Sequence, residues 1–157
     1  MLQLDALEEI LNIKLIERLR EKEGGVYAPG VRSNTAKLPN GRYSISVYFG
    51  CAPANVDKLI AATLDEISKI KQNGPEAVDV QKFHAETTRS IEVDLKENSF
   101  WEDHITESDQ RQEKPDGALK WISELDQATV QTVKDAANKY LNESNFIKLI
   151  LLPEKGK

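Results

Sequence analysis

The fold is decided at the start of the chain by the stretch Leu4-Asp-Ala-Leu-Glu-Glu-Ile-Leu-Asn-Ile-Lys-Leu-Ile-Glu-Arg-Leu-Arg-Glu-Lys-Glu-Gly-Gly-Val-Tyr27. Its leucines recur three or four positions apart, which is the spacing of one helix face and predicts an amphipathic helix over residues 4–23. Gly24 and Gly25 should end this helix, because residues without a Cβ readily adopt the left-handed conformation that closes a helix. The stretch therefore predicts a long helix followed by a sharp return of the chain.

A β-hairpin is predicted after this helix. Pro39-Asn40-Gly41 supplies a tight turn, in which Asn-Gly suits positions of positive φ. Residues 42–49 then alternate between apolar and polar side chains, which predicts a half-buried antiparallel strand. The inner face of this strand is predicted to hold Tyr43, Ile45, Val47 and Phe49.

Helical patterns fill most of the chain that follows. One helix is predicted to stop at Asn73-Gly74-Pro75. Its predicted packing face holds Val56, Ile60, Leu64, Ile67 and Ile70. A second helix beyond Pro75 is predicted to pack through Val78, Val80, Phe83, Ile91, Val93 and Leu95. The last helix is predicted to begin after an N-cap at Asp126.

The last apolar run, residues 146–152, predicts a terminal strand with Ile147, Leu149 and Leu151 on its inner face. The order of helix, hairpin, several helices and strand predicts an α+β fold, with helices packed on one face of an antiparallel sheet. Three strands make a thin sheet, which a strand missing before Leu4 would complete. We therefore expect a single partial domain over residues 4–153, truncated at its N-terminus, with a tail over residues 154–157.

Composition excludes several classes of protein. The 157 residues carry 21 Lys and Arg against 26 Asp and Glu, a net charge of -5, with no dense basic stripe for binding nucleic acid. No run approaches the roughly 20 apolar residues of a membrane span. A lone cysteine, Cys51, excludes an internal disulfide framework and is expected to be a small buried residue rather than a nucleophile.

Metal-ligating and catalytic motifs are sparse in the sequence. His104 and Glu107 have an H-x-x-E spacing, but Ser108 stands where H-x-x-E-H needs its second histidine. His84, the other histidine, is isolated. We find no G-x-S-x-G elbow and no glycine-rich phosphate loop. The residues alone predict no metal site and no catalysis by this chain, and a zinc enzyme using His84 or His104 is the weaker alternative.

Arg20 and Tyr27 are the candidate site residues. They lie seven positions apart across the Gly24-Gly25 break, so both side chains can project from one rim. A guanidinium and a phenol are a pair of donors suited to a polarised carbonyl or an oxyanion. The structural alternative is that Arg20 favours the helix C-terminus through its charge and Tyr27 packs.

These residues also carry a resemblance to a known family. The segment Leu19-Arg-Glu-Lys-Glu-Gly-Gly-Val-Tyr27 resembles the L-R-E-x-x-G-x-x-Y stretch in the C-terminal half of pitrilysin-type (insulinase-family) zinc peptidases. The junction Phe49-Gly-Cys-Ala-Pro53 and the late segment Leu125-Asp-Gln-Ala-Thr-Val-Gln131 agree with the same family. The resemblance runs over residues 4–153, nearly the whole chain.

The resemblance implies a role for this chain within a larger zinc endopeptidase. In that family the N-terminal half holds zinc through H-x-x-E-H and a distal Glu, and the C-terminal half binds the peptide substrate without metal. It implies that Arg20 and Tyr27 contact the substrate near the scissile carbonyl, that zinc lies in the other half, and that this chain alone is inactive. The implied partner is the zinc-binding half, in the same protein or as a separate subunit.

Three further expectations accompany this interpretation. The alternative function is a non-catalytic structural or partner-subunit module of the same fold. An open sheet edge predicts a homodimer. The resemblance to bacterial envelope proteases implies the periplasm or cell envelope, with the cytoplasm as the alternative compartment.

Overall fold

A computed structural model describes residues 2–142 and 144–154. Six α-helices and two strands form the described fold: α1 (Leu2–Leu15), β1 (Gly30–Ala36), β2 (Arg42–Tyr48), α2 (Val56–Asn73), α3 (Ala77–Asp94), α4 (Asn98–Gln110), α5 (Trp121–Glu124) and α6 (Val130–Tyr140). A π-helix, Ile16–Lys22, continues α1, and short 3₁₀ turns lie at Pro53–Asn55, Pro115–Lys120 and Leu125–Gln127. The predicted α+β class, with helices against an antiparallel sheet, is confirmed. Of the predicted tail, only residue 154 lies within the described residues.

The first helix forms the centre of the core. Its predicted face is buried as expected, at Leu4, Leu7, Leu11, Leu15 and Leu19. From Leu7 onward these leucines are four residues apart, and each such step advances about 40° around an α-helix of 3.6 residues per turn. The wider π-helical turn opposes that drift and keeps Leu19 on the buried face. Helices α2, α3 and α6 and strand β1 all pack against α1.

The hairpin is confirmed, with a different turn from the one predicted. Strands β1 and β2 pair antiparallel from Gly30↔Tyr48 to Ala36↔Arg42, which leaves residues 37–41 as the loop. The expectation of positive φ at Asn40-Gly41 was wrong, because neither residue has it. A five-residue loop reverses the chain without the primed turn that a two-residue loop needs. Of the predicted inner face, Tyr43 is exposed and packs edge-on against Tyr140.

The two edges of this sheet differ. On the β1 side, the Val31 N–H donates to Asn12 Oδ1 at 3.3 Å, and the Ser33 N–H donates to Glu8 Oε2 at 2.8 Å. Side chains of α1 therefore occupy the outer edge of β1. No strand pairs with the outer edge of β2 in the part of the chain that the structure describes.

The predicted packing faces of α2 and α3 need correction. Helix α2 buries Leu59 and Thr63, whereas Leu64 is 37% exposed. Helix α3 leaves Val78 and Val93 exposed, although Val80, Phe83 and Ile91 are buried as predicted. Periodicity alone does not fix the rotation of a helix, because it depends on where the neighbouring elements lie. The predicted stop of α2 is confirmed at Gly74, which has φ +77°.

Two predictions near the C-terminus were also wrong. Thr129, not Asp126, caps α6: its side chain accepts from the Thr132 N–H, and the Thr132 hydroxyl accepts from the Thr129 N–H. Asp126 lies in a 3₁₀ turn instead.

Residues 146–152 form no strand, and Ile147, Leu149 and Leu151 are 85–99% exposed. A strand needs a neighbour, and none lies beside this segment among the described residues.

Helix α4 is held mainly by aromatic contacts. The Phe100 ring stacks on His104, and Trp101 and Trp121 meet Phe100 edge to face. The indole N–H of Trp101 donates to the Leu95 carbonyl at 3.0 Å. These aromatic residues pack on one another. No helix in the described parts of the chain is long and apolar enough to cross a membrane.

Candidate substrate-binding site

The π-helix and the turn after it carry both candidate site residues. Arg20 is exposed in the π-helix, next to the buried Leu19. The helix ends at Lys22, and Gly24 takes φ +64°, the left-handed conformation that the sequence predicted for this break. The chain reverses there and brings Tyr27 back towards Arg20.

This turn is anchored on the core side. A Cβ added at Gly25 would lie 3.1 Å from Leu59 Cδ1, so the close approach of the turn to α2 favours glycine. Val26 is buried, and Tyr27 immediately after it is 84% exposed. A buried residue next to an exposed tyrosine holds the Tyr27 backbone while its ring stands in solvent.

The structure brings Arg20 and Tyr27 together. The guanidinium carbon of Arg20 lies 5.5 Å from the centroid of the Tyr27 ring, a cation–π distance. Both side chains are exposed, so a ligand can reach the guanidinium N–H groups and the phenol. The paired side chains offer several hydrogen-bond donors at one rim of the fold, as the spacing predicted.

A cluster of charged side chains that the sequence did not predict stabilises the turn between Arg20 and Tyr27. Glu23 Oε1 lies 3.3 Å from Arg18 Nη2, and Glu23 Oε2 lies 2.8 Å from Lys58 Nζ on α2. The hydrogen bond from Lys58 lowers the pKa of Glu23, and the charges of Lys58 and Arg18 lower it further. Arg18 also approaches Asp65 Oδ2 at 3.6 Å. The i, i+5 spacing of Arg18 and Glu23 suits a π-helix, but only the tertiary fold places Lys58 beside them.

The described residues do not fit a zinc ion. They contain no group of three or more His, Cys, Asp or Glu side chains that could hold a metal. Nε2 of His84 donates to the Ala128 carbonyl at 2.8 Å, and Nε2 of His104 donates to the Pro115 carbonyl at 2.9 Å. Glu107, the partner in the H-x-x-E spacing, pairs with Arg111 instead. Cys51 is half-buried against the core rather than fully buried.

Comparison with known proteins places this arrangement in a family. The family model described as the peptidase M16 inactive domain matches residues 1–84, which include the helix, the glycine turn and both site residues. The chain belongs to the peptidase M16 inactive-domain family. The resemblance to the metal-free half of such zinc peptidases is thereby confirmed.

Similar proteins extend the match over most of the chain. A zinc protease PQQL-like protein of Arabidopsis thaliana is 26% identical over 96% of the chain and 18% of its own length. The solved structure of the periplasmic protease PqqL from Escherichia coli has a TM-score of 0.75 and 22% identity, over 89% of this chain and 15% of that one. A peptidase M16 inactive domain from Pseudomonas fluorescens has a TM-score of 0.70 and 18% identity, over 87% and 34%. The chain therefore spans less than a fifth of the two proteases.

Proposed function

We propose that this M16 inactive domain is the substrate-binding, metal-free part of a zinc-dependent endopeptidase. The observation that carries the proposal is the placement of the exposed Arg20 guanidinium over the exposed Tyr27 ring on an anchored turn. A peptide carbonyl offers the acceptor that a guanidinium fork and a phenol bind well. The ligand class is therefore an extended peptide whose backbone carbonyl meets this pair.

The partner in this proposal is a zinc-binding half, in the same protein or as a separate subunit. The described residues cannot hold the metal themselves, so we assign no chemical step to zinc in this chain. The part played by Arg20 and Tyr27 is to hold a carbonyl oxygen and to stabilise negative charge that develops on it. The name zinc protease on the Arabidopsis relative supports a parent of this class.

Peptide binding to the isolated chain tests the proposal directly. The ¹⁵N-labelled chain is titrated by NMR with an unstructured peptide blocked at both ends, so that only backbone groups and side chains are offered. We expect shifts to centre on residues 20–27 and the affinity to fall roughly tenfold in Arg20→Ala, since a hydrogen bond to a charged group is lost. Arg89→Ala, which removes an exposed arginine from α3, is the matched control. Equal binding by both variants would contradict the proposal.

A structural or partner-subunit module is the second candidate, and a different observation favours it. No described strand pairs with the outer edge of β2, and residues 146–152 present apolar side chains to solvent. An open edge and an unpaired apolar segment favour association through strands, including a homodimer. Peptide cleavage decides between the candidates: a substrate-binding half raises the activity of its zinc-binding partner through Arg20, whereas a structural module does so without it.

The compartment is also part of the proposal. The likeness to a periplasmic protease supports the periplasm or the cell envelope, and the cytoplasm is the alternative. Fractionation of cells that express the protein, with detection by antibody, distinguishes the two.

A further inference from the structure

The backbone between the two site residues is held by contacts outside the site. The turn that joins Arg20 to Tyr27 contacts α2 at two points. Leu59 of α2 packs against Gly25, and Lys58 of α2 binds Glu23. The position of Tyr27 relative to Arg20 therefore depends on how firmly this turn is tied to α2.

Glu23 holds the turn through both its backbone and its side chain. Its backbone N–H donates to the Arg18 carbonyl at 3.1 Å, which closes the π-helix. Its carboxylate forms an ion pair with Arg18 through one oxygen and with Lys58 through the other, and the side chain is only 16% exposed. One carboxylate thus links the π-helix that carries Arg20 to the helix against which the Tyr27 turn packs.

We infer that Glu23 is a positioning residue for the Arg20–Tyr27 pair, acting through Arg18 and Lys58 rather than by touching substrate. This inference rests on the proposed peptide-binding function. A pair of exposed side chains binds well only when their backbones are fixed, because ordering them during binding opposes affinity. The charge of Glu23 fixes the backbone of the turn that joins Arg20 to Tyr27.

Two substitutions on the full 157-residue chain test the inference. Glu23→Gln keeps the size of the side chain and removes the charge that holds Arg18 and Lys58. Glu113→Gln is the matched control, because it removes a different Glu–Lys contact, with Lys37, at a distance from the turn in sequence. Circular dichroism should show the same helix content in both variants.

The first readout is geometric and does not depend on peptide. NMR cross-peaks between the Arg20 side chain and the Tyr27 ring should weaken at least twofold in Glu23→Gln and stay unchanged in Glu113→Gln. Cross-peaks that persist at full intensity in Glu23→Gln would overturn the inference.

The second readout is peptide affinity in combined variants. We expect Glu23→Gln to weaken peptide binding three- to tenfold, and to have no further effect once Arg20→Ala is present. Equal losses with and without Arg20 would overturn the inference, because they would show a general structural role. If Arg20→Ala itself leaves binding unchanged, the proposed function fails, and the cross-peaks alone decide whether Glu23 positions the pair.

Discussion

The Nζ of Lys14 lies 2.9 Å from Oδ2 of Asp79, and this ion pair joins α1 to α3 at a point where Asp79 is only 1% exposed. Apart from its ion pairs with lysines, the Asp79 carboxylate has no hydrogen-bond partner in the described structure, so Lys14 supplies the principal compensation for a buried charge. Burial by itself lowers the pKa of Lys14, but the ion pairs with Asp79, Glu17 and Glu76 outweigh burial and raise it. The core of this domain therefore contains a charge pair in which each member depends on the other.

Lys14→Met is predicted to destabilise the domain strongly. It leaves Asp79 buried without its partner, which costs about 3–5 kcal/mol in the free energy of unfolding. Lys82→Met is the control, because Lys82 is half exposed and its Nζ lies 4.0 Å from Asp79 Oδ1, so its loss costs about 0–1 kcal/mol. Urea denaturation measures both. Adding Asp79→Leu to Lys14→Met should restore most of the lost stability, and equal costs for the two lysines would contradict the prediction.

Arg20→Ala is predicted to lower peptide hydrolysis when the zinc-binding half is present in the same chain or added as a subunit. Loss of one donor to a developing oxyanion lowers kcat by about 10²–10³. The zinc content should not change, because Arg20 is not a ligand, and Arg89→Ala should retain full activity.

Tyr27→Phe should cause a smaller loss of activity, since it removes the phenol and leaves the ring beneath the guanidinium. Circular dichroism checks that the fold is intact. Equal peptide hydrolysis by the wild type and by Arg20→Ala would contradict the carbonyl-binding role assigned to Arg20.

The segment 146–152 is predicted to join two copies of the chain. Its exposed apolar residues in one copy can associate with the outer edge of β2 in the other copy, an edge with which no described strand pairs. Light scattering coupled to gel filtration should show a dimer, and Leu149→Lys should weaken its association at least tenfold. Leu119→Lys, at an exposed leucine elsewhere, is the control. A monomeric wild type, or the same result for both variants, would count against dimerisation through this segment.

Glu9→Gln is predicted to stabilise the domain at neutral pH and not at acid pH. Partial burial raises the pKa of Glu9, and its contact with Glu86 raises it further. A raised carboxyl pKa means that the folded state binds the proton more tightly, so stability falls as pH rises from 4.5 through the folded pKa.

Glu9→Gln removes this fall in the stability of the domain at neutral pH. The Tm at pH 7 should rise by about 1–2 °C. The gain should disappear near pH 4, where Glu9 is already protonated. Glu92→Gln, on an exposed position of α3, should show no such dependence. An equal gain at both pH values would argue against titration of Glu9 as the cause.

Thr129→Ala is predicted to destabilise the domain by about 1 kcal/mol, because it removes one half of the capping box at the start of α6. Thr106→Ala is the matched control, since its hydroxyl donates to the Glu102 carbonyl within α4 and caps nothing. Thermal unfolding compares the two. A loss in Thr106→Ala as large as that in Thr129→Ala would show that capping is not the reason.

Much of the fold could be predicted because it follows from local patterns. The leucine face of α1, the glycine break after it and the stop at Gly74 were all predicted, since each depends on residues close together in the sequence. The cap of α6 was misassigned because Asp126 and Thr129 are both good N-caps, and the 3₁₀ turn that takes up Asp126 decides between them.

The sequence by itself determined the long helix and the reversal at Gly24 that turns the chain back towards Arg20, because a helix end and a tight turn are local events. The tertiary structure decided which faces of α2 and α3 are buried, and that residues 146–152 find no strand to pair with among the described residues. It also decided that Lys58 meets Glu23 and that Lys14 meets Asp79, since these partners lie 35 and 65 residues apart in the chain. Contacts at such separations depend on how whole helices pack, which no local pattern specifies.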